Sequence, residues 1–313
     1  MQLNLIDAME KGINAAKDRP ATSLYGWTMA HRTNENRDWD NQAIHVSDYA
    51  VGLPLSERKC QKQLRLRVED ADCAETPVWQ EVMFSQGNAM ENRCAYWLTL
   101  GLPDEWEVNL SVNVSEGLPE GHGGEADIIL VNEKLKQVIV VEVKTSRGAA
   151  FKFRDGPRMS HELQASTYRM AADEMYPEYN VNATILYLDR EGQNPPEQYP
   201  ADIENKDIMW CAKLAEAINK GEIEPEMMQT SVEVRRNKGT DSWYVKQPWQ
   251  CVYCDYKGYS CPGALPEELE DNSIICKFDE IGDDIDWKCD PDKKEKYQEI
   301  IVNAVTGGNI TER

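Results

Sequence analysis

Residues 124–146, GEADIILVNEKLKQVIVVEVKTS, hold the side chains best suited to chemistry. Asp127 precedes one apolar run, a polar turn follows, and a second apolar run leads into Glu142 and Lys144. This pattern predicts a β-hairpin, with both strands inside a sheet that is covered on each face. Because strand side chains alternate between faces, Glu142 and Lys144 share a face, and the antiparallel return can bring Asp127 beside them.

Two carboxylates and an amine in this arrangement suit phosphodiester hydrolysis. Carboxylate oxygens from Asp127 and Glu142 would bind Mg²⁺ or Mn²⁺, which polarises the phosphate and lowers the pKa of a bound water. Lys144 would orient or deprotonate that water and offset negative charge in the transition state. The alternative is a surface hairpin with a solvated Asp127 and an ion pair between Glu142 and Lys144.

The D-x14-E-V-K spacing after GEAD resembles the PD-(D/E)XK nuclease superfamily, and further marks point to its RecB-like branch. One mark is a Q-x3-Y pair on the next helix, which Gln164 and Tyr168 supply, with Ser160 as the expected N-cap. Residues four apart lie on one helical face. The resemblance implies that this face borders the active site and contacts the substrate strand. The alternative is that Tyr168 is a core residue and Gln164 its polar neighbour.

A second mark is a helix before the hairpin that carries G-x3-H or G-x3-E. Gly87 and Glu91 match it, although RecB-like members usually carry histidine at the second position. The resemblance implies that Glu91 binds metal, and a carboxylate binds Mg²⁺ or Mn²⁺ at least as readily as imidazole does. The carbonyl of Val143 is a further ligand candidate. A solvated helical glutamate is the alternative.

Four cysteines form a third mark. Cys251, Cys254 and Cys261 follow a C-x2-C-x6-C pattern, and Cys60 lies far upstream. This arrangement resembles the iron–sulfur nucleases, among them the AddB nuclease domain and the CRISPR-associated exonuclease. It implies a 4Fe–4S cluster that joins the C-terminal segment to the first helix of the core. Zinc is the rival, because four thiolates also form a closed structural zinc site. The other thiols at 73, 94 and 211 are expected to be buried.

The charge balance opposes a nucleic-acid partner. The 313 residues include 55 acidic and 34 basic side chains, a net charge of −21, which should repel a phosphate backbone. The cations are clustered, however, in a predicted helix that starts at Ser56 and in the loop after the catalytic strand. We expect a confined basic channel with weak, salt-sensitive DNA binding, and solvated cationic surfaces are the alternative. The candidate DNA contacts are Arg58, Lys62, Arg65, Lys152 and Arg154.

These features predict an α/β fold with a restriction-endonuclease-like central mixed sheet flanked by helices. Helical N- and C-terminal additions would be joined by the iron–sulfur cluster. The helical spacing of apolar residues at 2–17 predicts an amphipathic helix, and residues 231–247 are expected to form a short hairpin before the cysteine segment. The expected divisions are an N-terminal helical accessory segment at 1–46, a RecB-like nuclease core at 47–265 and an acidic C-terminal tail at 266–313. A hydrophobic share of 41% suffices for a packed core, and no stretch resembles a membrane span or a signal peptide. We therefore expect a cytoplasmic protein, and a phage or mobile-element origin would fit a stand-alone nuclease of this kind.

The function expected from these marks is metal-dependent exonucleolytic cleavage of DNA, acting on single-stranded ends during repair, recombination or CRISPR-type processing. The sequence lacks a G-x4-G-K-S/T P-loop, so unwinding would need a helicase or another recombination or CRISPR partner. Two alternatives remain. One is a catalytically weak DNA-end binding module within a larger complex, and the other is an acidic interaction protein whose cysteines bind zinc.

Overall fold

The computed structural model describes residues 3–17, 43–75, 77–149, 153, 155–228, 231–237, 240–246, 248–264, 276–278, 286–287, 295, 299–300 and 310–312. Its helices are α1 (Leu5–Ala16), α2 (Gln61–Val68), α3 (Val78–Gly101), α4 (Met159–Met175), α5 (Asn205–Asn219) and α6 (Trp249–Val252). Its strands are β1 (Ile44–His45), β2 (Glu107–Asn113), β3 (His122–Gly123), β4 (Glu125–Asn132), β5 (Gln137–Ser146), β6 (Asn180–Asp189), β7 (Glu197–Pro200), β8 (Ser231–Asn237), β9 (Thr240–Lys246), β10 (Cys276–Phe278), β11 (Asp286–Trp287) and β12 (Ile310–Glu312). Two 3-10 helices span Val46–Gly52 and Ser115–Gly117.

The chain divides into two compact units. The first comprises Met1–Lys59 with Thr76–Lys220, and the second comprises Cys60–Glu75 with Gly221–Arg313. The hairpin predicted to carry the chemistry lies in the first unit, and the four cysteines predicted to bind a cluster lie in the second. The accessory segment, core and tail expected at 1–46, 47–265 and 266–313 stay a prediction.

A five-stranded sheet in the order β2-β4-β5-β6-β7 forms the centre of the first unit. β4 and β5 are the predicted hairpin, antiparallel and paired so that Ile128 lies opposite Val141. β5 and β6 are parallel and are connected through α4, which makes the sheet mixed. Because β4 and β5 are inner strands with helices against the sheet, their apolar runs are buried on both faces. The predicted mixed α/β class is confirmed.

One face of this sheet packs against α1 and α3. The core there includes Leu5 and Met9 of α1, Leu98 of α3, and Ile128 and Val143 of the sheet. Full burial of such a side chain contributes about 1.5–3 kcal/mol. The amphipathic pattern that predicted an N-terminal helix is thus confirmed, and the helix packs into the core of the unit.

The contact between α1 and α3 is close enough to exclude side chains. A Cβ at Gly12 would lie 1.7 Å from the carbonyl oxygen of Trp97, and one at Gly101 would lie 1.7 Å from that of Ala8. Each helix therefore needs glycine where the other helix's backbone approaches it.

The opposite face of the sheet packs against α4, which contacts β4, β5 and β6. Leu163, Ala165 and Tyr168 of α4 are buried. The N-cap is Arg158, so the predicted cap at Ser160 is wrong. Ser160 lies inside the first turn of α4, and its hydroxyl donates a hydrogen bond of 3.0 Å to Oε2 of Glu57.

The predicted start of the basic helix at Ser56 is also wrong. α2 begins at Gln61 with Cys60 as its N-cap. The preceding residues form a turn, because the backbone N–H groups of Glu57 and Arg58 both donate to the carbonyl of Pro54, at 2.9 and 2.8 Å. Ser56 therefore lies in this turn, and α2 begins only after the turn has ended.

The second unit holds α2, the cysteine segment and a sheet in the order β11-β10-β9-β8-β12. The predicted hairpin at 231–247 is confirmed as antiparallel β8 and β9. Two hydrogen bonds of 2.7 Å connect the segment after α2 to the cysteine segment: Ala74 N donates to the Asp255 carbonyl, and Ser260 Oγ donates to the Asp72 carbonyl. Among the described helices of the chain, none has the length and apolar character to cross a membrane.

Candidate active site

The end of β5 brings Asp127, Glu142 and Lys144 together. Oδ2 of Asp127 accepts a hydrogen bond of 2.8 Å from the backbone N–H of Val143. The Lys144 ammonium forms an ion pair with Oε1 of Glu142. The Glu142 side chain is fully buried, whereas that of Lys144 retains 25% of its exposure. The convergence predicted from period-two alternation is therefore present on one face of the sheet.

The charges at this position are strongly coupled. Burial raises the pKa of Asp127 well above its ordinary value, and the negative charges of Glu142 and Glu91 raise it further. For Lys144, burial works to lower the pKa, but the carboxylates of Glu142 and Asp127 outweigh it and raise the pKa. Lys144 is therefore an ammonium at neutral pH.

One oxygen of Glu142 finds no hydrogen-bond partner in the part of the chain that the structure describes. Oε2 is buried and makes no hydrogen bond to the described residues. Leaving such an acceptor unsatisfied costs about 1–3 kcal/mol, and more for a charged group. A hard divalent cation is the ligand that carboxylate oxygens of this kind prefer. The donor set of Asp127 and Glu142 therefore fits Mg²⁺ or Mn²⁺.

Glu91 lies on α3, is half-buried and acts electrostatically on this charge cluster. Its carboxylate raises the pKa of Asp127 and of Lys144, and it contributes to the raised pKa of the buried thiol of Cys94, after burial and Asp127. Within the described part of the chain, however, no three His, Cys, Asp or Glu side chains are grouped closely enough to hold a metal ion. The structure brings Asp127 and Glu142 together, and Glu91 approaches them without completing a three-carboxylate group.

The Q-x3-Y pair connects to the lysine. Nζ of Lys144 donates to Oε1 of Gln164 at 3.1 Å, and Nε2 of Gln164 donates to Oη of Tyr168 at 3.2 Å. Tyr168 is 5% exposed, and its pKa is raised by burial and then by Glu142. The amide of Gln164 thus bridges the lysine and the buried phenol, which connects both residues to the charge cluster at the end of β5.

His161 and Tyr187 also belong to this neighbourhood, and sequence reasoning gave neither a role. A hydrogen bond of 2.8 Å joins His161 Nδ1 to Tyr187 Oη, and Tyr187 pairs with Lys144 in the parallel register of β6 and β5. The pKa of His161 is lowered to about 3 by burial, by Lys144 and by Arg158, so the imidazole is neutral. Its position three residues before Gln164, on the same helical face, was the signal that could have identified it.

The residues predicted to contact DNA differ in their burial and in their partners. Lys152 and Arg154 lie outside the described residues. Arg58 and Lys62 are half-buried. Nε of Arg65 donates to Oε1 of Glu69 at 2.7 Å, an ion pair within one turn of α2. Arg65 is therefore already engaged by its own helix.

The four predicted cluster cysteines influence one another within the second unit. The pKa of the Cys251 thiol is raised to about 11, by burial first and to a smaller extent by Cys60, Cys254 and Cys261. Cys60, Cys251 and Cys261 are buried, and Cys254 is half-buried. The thiols are thus neighbours. Among the described residues, however, no three cysteine, histidine or acidic side chains are grouped closely enough to hold a metal ion, and this includes the four thiols. Of the other cysteines, those at 94 and 211 are buried as predicted, and the one at 73 is exposed, contrary to prediction.

Comparison with known proteins identifies a family for this chain. The sequence profile of the PD-(D/E)XK nuclease superfamily matches residues 55–262, more than half of the chain. Among solved structures, an alkaline exonuclease from Laribacter hongkongensis is similar, with a TM-score of 0.40 and 11% sequence identity over 63% of this chain and 93% of that one. No curated protein matches the sequence. The range matched by the profile contains the convergent hairpin, Glu91, the Q-x3-Y pair and all four predicted cluster cysteines.

Proposed function

Because the chain belongs to the PD-(D/E)XK nuclease superfamily, we propose that it is a metal-dependent deoxyribonuclease that hydrolyses phosphodiester bonds at the ends of single-stranded DNA. One observation carries this proposal. Asp127, Glu142 and Lys144 converge at the end of β5, and Gln164 holds the lysine there. Buried charge of both signs beside an orphaned carboxylate oxygen is unfavourable for stability alone and typical of a functional site.

Asp127 and Glu142 are the proposed ligands of Mg²⁺ or Mn²⁺. When bound, the metal polarises the scissile phosphate and lowers the pKa of a coordinated water. Support for these ligands comes from the unsatisfied Oε2 of Glu142 and from the raised pKa of Asp127, both of which a cation would relieve. Glu91 and the carbonyl of Val143 are the further ligands that we propose.

Lys144 orients the attacking water and stabilises the charge that develops on phosphate oxygens. Its raised pKa keeps it protonated, which favours these two roles over that of a general base. An ammonium has three N–H donors, and the contacts with Glu142 and Gln164 use two. The third is left for a water or a phosphate oxygen, and Gln164 fixes its direction.

Tyr168 fixes the orientation of the Gln164 amide. Its phenol accepts a hydrogen bond from Gln164, and the ring is almost fully buried against the sheet. We propose that Gln164 and Tyr168 together position Lys144 and, through it, the substrate strand. The resemblance to RecB-like nucleases implied only that Gln164 and Tyr168 contact the DNA strand. Positioning of Lys144 is an additional role.

The single-stranded preference and the contacts to DNA are part of the proposal. With a net charge of −21, the chain should bind a phosphate backbone through few cations, and activity should fall steeply as salt rises. Arg58, Lys62, Lys152 and Arg154 are the contacts that we retain. Arg65 is the weakest of the set, because its ion pair with Glu69 competes with phosphate.

We also propose a metal-containing centre at Cys60, Cys251, Cys254 and Cys261. A 4Fe–4S cluster ligated by four thiolates is the first choice, and zinc is the rival. Support comes from the mutual influence of the four thiols within one unit. Iron and zinc content of the anaerobically purified protein, with Cys254→Ser as the comparison, distinguishes the two: iron with visible absorbance supports the cluster, and zinc alone rejects it.

Cleavage of end-labelled single-stranded DNA tests the proposed activity. We expect the wild type to degrade it with Mn²⁺ or Mg²⁺, chelation to abolish this, and Asp127→Ala to be inactive although folded. If the wild type binds DNA ends yet cleaves nothing with either metal, the chain is a DNA-end binding module and the nuclease proposal is wrong.

A further inference from the structure

The two halves of α3 have different surroundings. Its C-terminal half contributes Cys94, Ala95 and Leu98 to the buried core of the first unit. Its N-terminal half presents apolar side chains to solvent, and the exposed fraction is 50% for Val82 and 57% for Phe84. A large aromatic ring exposed to water is costly without a function, since burying it elsewhere would stabilise the protein.

Helical geometry places only one of these two side chains on the face of Glu91. Each residue turns the helix by about 100°, so Phe84, seven residues before Glu91, lies within about 20° of it. Val82, nine residues before Glu91, is turned by about 180° and lies on the opposite face. Phe84 therefore shares a face with the residue of α3 that approaches the carboxylate pair.

Gly87 lies between Phe84 and Glu91 on this face. A Cβ built at Gly87 meets no atom within 4 Å, so the fold does not need glycine there. Glycine in the interior of a helix lowers helix stability relative to alanine. The helix therefore lacks a side chain at this position, one turn before Glu91, at a cost to its own stability.

From these three observations we infer that Phe84 stacks on a nucleobase of the strand that enters the active site, and that Gly87 leaves room for the backbone of that strand. The inference rests on the proposed function and names how its substrate is positioned. Along the helix axis, Phe84 and Glu91 are separated by about 10 Å, roughly the length of three stacked nucleotides at 3.4 Å each. Stacking needs no positive charge and accepts any base, which suits a chain with a net charge of −21.

Kinetics of cleavage of a single-stranded oligonucleotide with Mn²⁺ test this inference. Phe84→Ala should raise KM roughly tenfold with a smaller effect on kcat, because stacking of this kind stabilises bound substrate and transition state alike. Phe84→Trp should restore KM, since the indole also stacks. Val82→Ala, an equally exposed apolar truncation on the opposite face, should leave KM and kcat unchanged.

Gly87→Leu provides a second, independent test. Because the space around Gly87 is open, the variant should unfold at the same temperature as the wild type or a higher one, and yet it should show a raised KM. If Phe84→Ala matches Val82→Ala in KM, or if Gly87→Leu cleaves like the wild type, the inference is wrong while the proposed nuclease stands. A wild type that neither binds nor cleaves single-stranded DNA would overturn both.

Discussion

Lys144 and Gln164 are joined by a hydrogen bond of 3.1 Å from the lysine Nζ to the amide Oε1. Lys144 lies on β5, and Gln164 lies on α4, the helix of the crossover that links β5 to β6. Because the same amide donates to Tyr168, a substitution of Gln164 or Tyr168 should change the position of the lysine ammonium. The Q-x3-Y pair is therefore part of the catalytic apparatus in our account, as a holder of Lys144.

Removal of the Gln164 amide should lower kcat. A hydrogen bond to a charged group contributes about 1.5–3 kcal/mol, so Gln164→Ala should lose roughly 10- to 150-fold in kcat. Tyr168→Phe keeps the contact between Lys144 and Gln164 and should lose less. Steady-state kinetics on a single-stranded oligonucleotide measure both, and a Tyr168→Phe defect as large as that of Gln164→Ala would argue against the bridging role.

Substitution of Asp127 should stabilise the metal-free protein. The raised pKa of Asp127 means that its ionised form is unfavourable in the folded state, so ionisation above that pKa costs stability. Asp127→Asn, whose side-chain oxygen can still accept the hydrogen bond from Val143, should therefore be more stable than the wild type at neutral pH when no metal is bound.

Urea unfolding in the presence of a chelator measures this gain. The advantage of Asp127→Asn should shrink as the pH falls and the wild-type carboxyl becomes protonated. Added Mn²⁺ should reverse the order, because a ligand that binds only the folded wild type stabilises it by mass action. A metal-free variant less stable than the wild type at neutral pH contradicts the assigned electrostatics.

His161 should make the metal-free protein sensitive to acid. Its pKa is lowered from 6.5 to about 3 by burial, by Lys144 and by Arg158. Between those two values the unfolded chain binds a proton that the folded chain does not, so the stability that is present above pH 6.5 is lost as the pH falls toward 3. His161→Gln should remove this part of the pH dependence. Parallel curves of unfolding free energy against pH for the two proteins would show that His161 titrates normally.

Two glycine-to-alanine substitutions should have opposite effects on stability. At Gly12 the new Cβ would lie 1.7 Å from a backbone oxygen of α3, so Gly12→Ala should destabilise by about 1–3 kcal/mol or more. At Gly87 the space is open, and Gly87→Ala should stabilise by about 0.5–1 kcal/mol. Thermal unfolding of both variants checks the pair, and equal shifts would show that α1 is not packed as described.

Local pattern was enough to predict the hairpin of β4 and β5, because two apolar runs around a polar turn leave few alternatives. The helical spacing of apolar residues near the N-terminus likewise predicted α1. The helix starts predicted at Ser56 and Ser160 were wrong for different reasons. Ser56 lies in a local turn that the carbonyl of Pro54 closes, and Ser160 lies inside α4, where its hydroxyl contacts Glu57, a residue far away in the sequence.

Other features depend on contacts between residues distant in sequence. The bridge from Lys144 to Gln164 spans twenty residues and needs the crossover to fold. The close approach at Gly12 depends on α3, far along the chain. The burial of both carboxylate oxygens of Glu142 follows from the packing of α4 over β5, which alternation along a strand does not reveal.

Cleavage of end-labelled single-stranded DNA, linear and circular, by the wild type and by Lys144→Ala tests the central claim most directly. With Mn²⁺ or Mg²⁺ the wild type should degrade linear molecules and spare circles, and Lys144→Ala should be slower by roughly 10²- to 10⁴-fold while remaining folded. Equal rates for the two proteins on linear DNA would contradict the assignment of Lys144. Circles cut as fast as linear molecules would contradict an exonuclease.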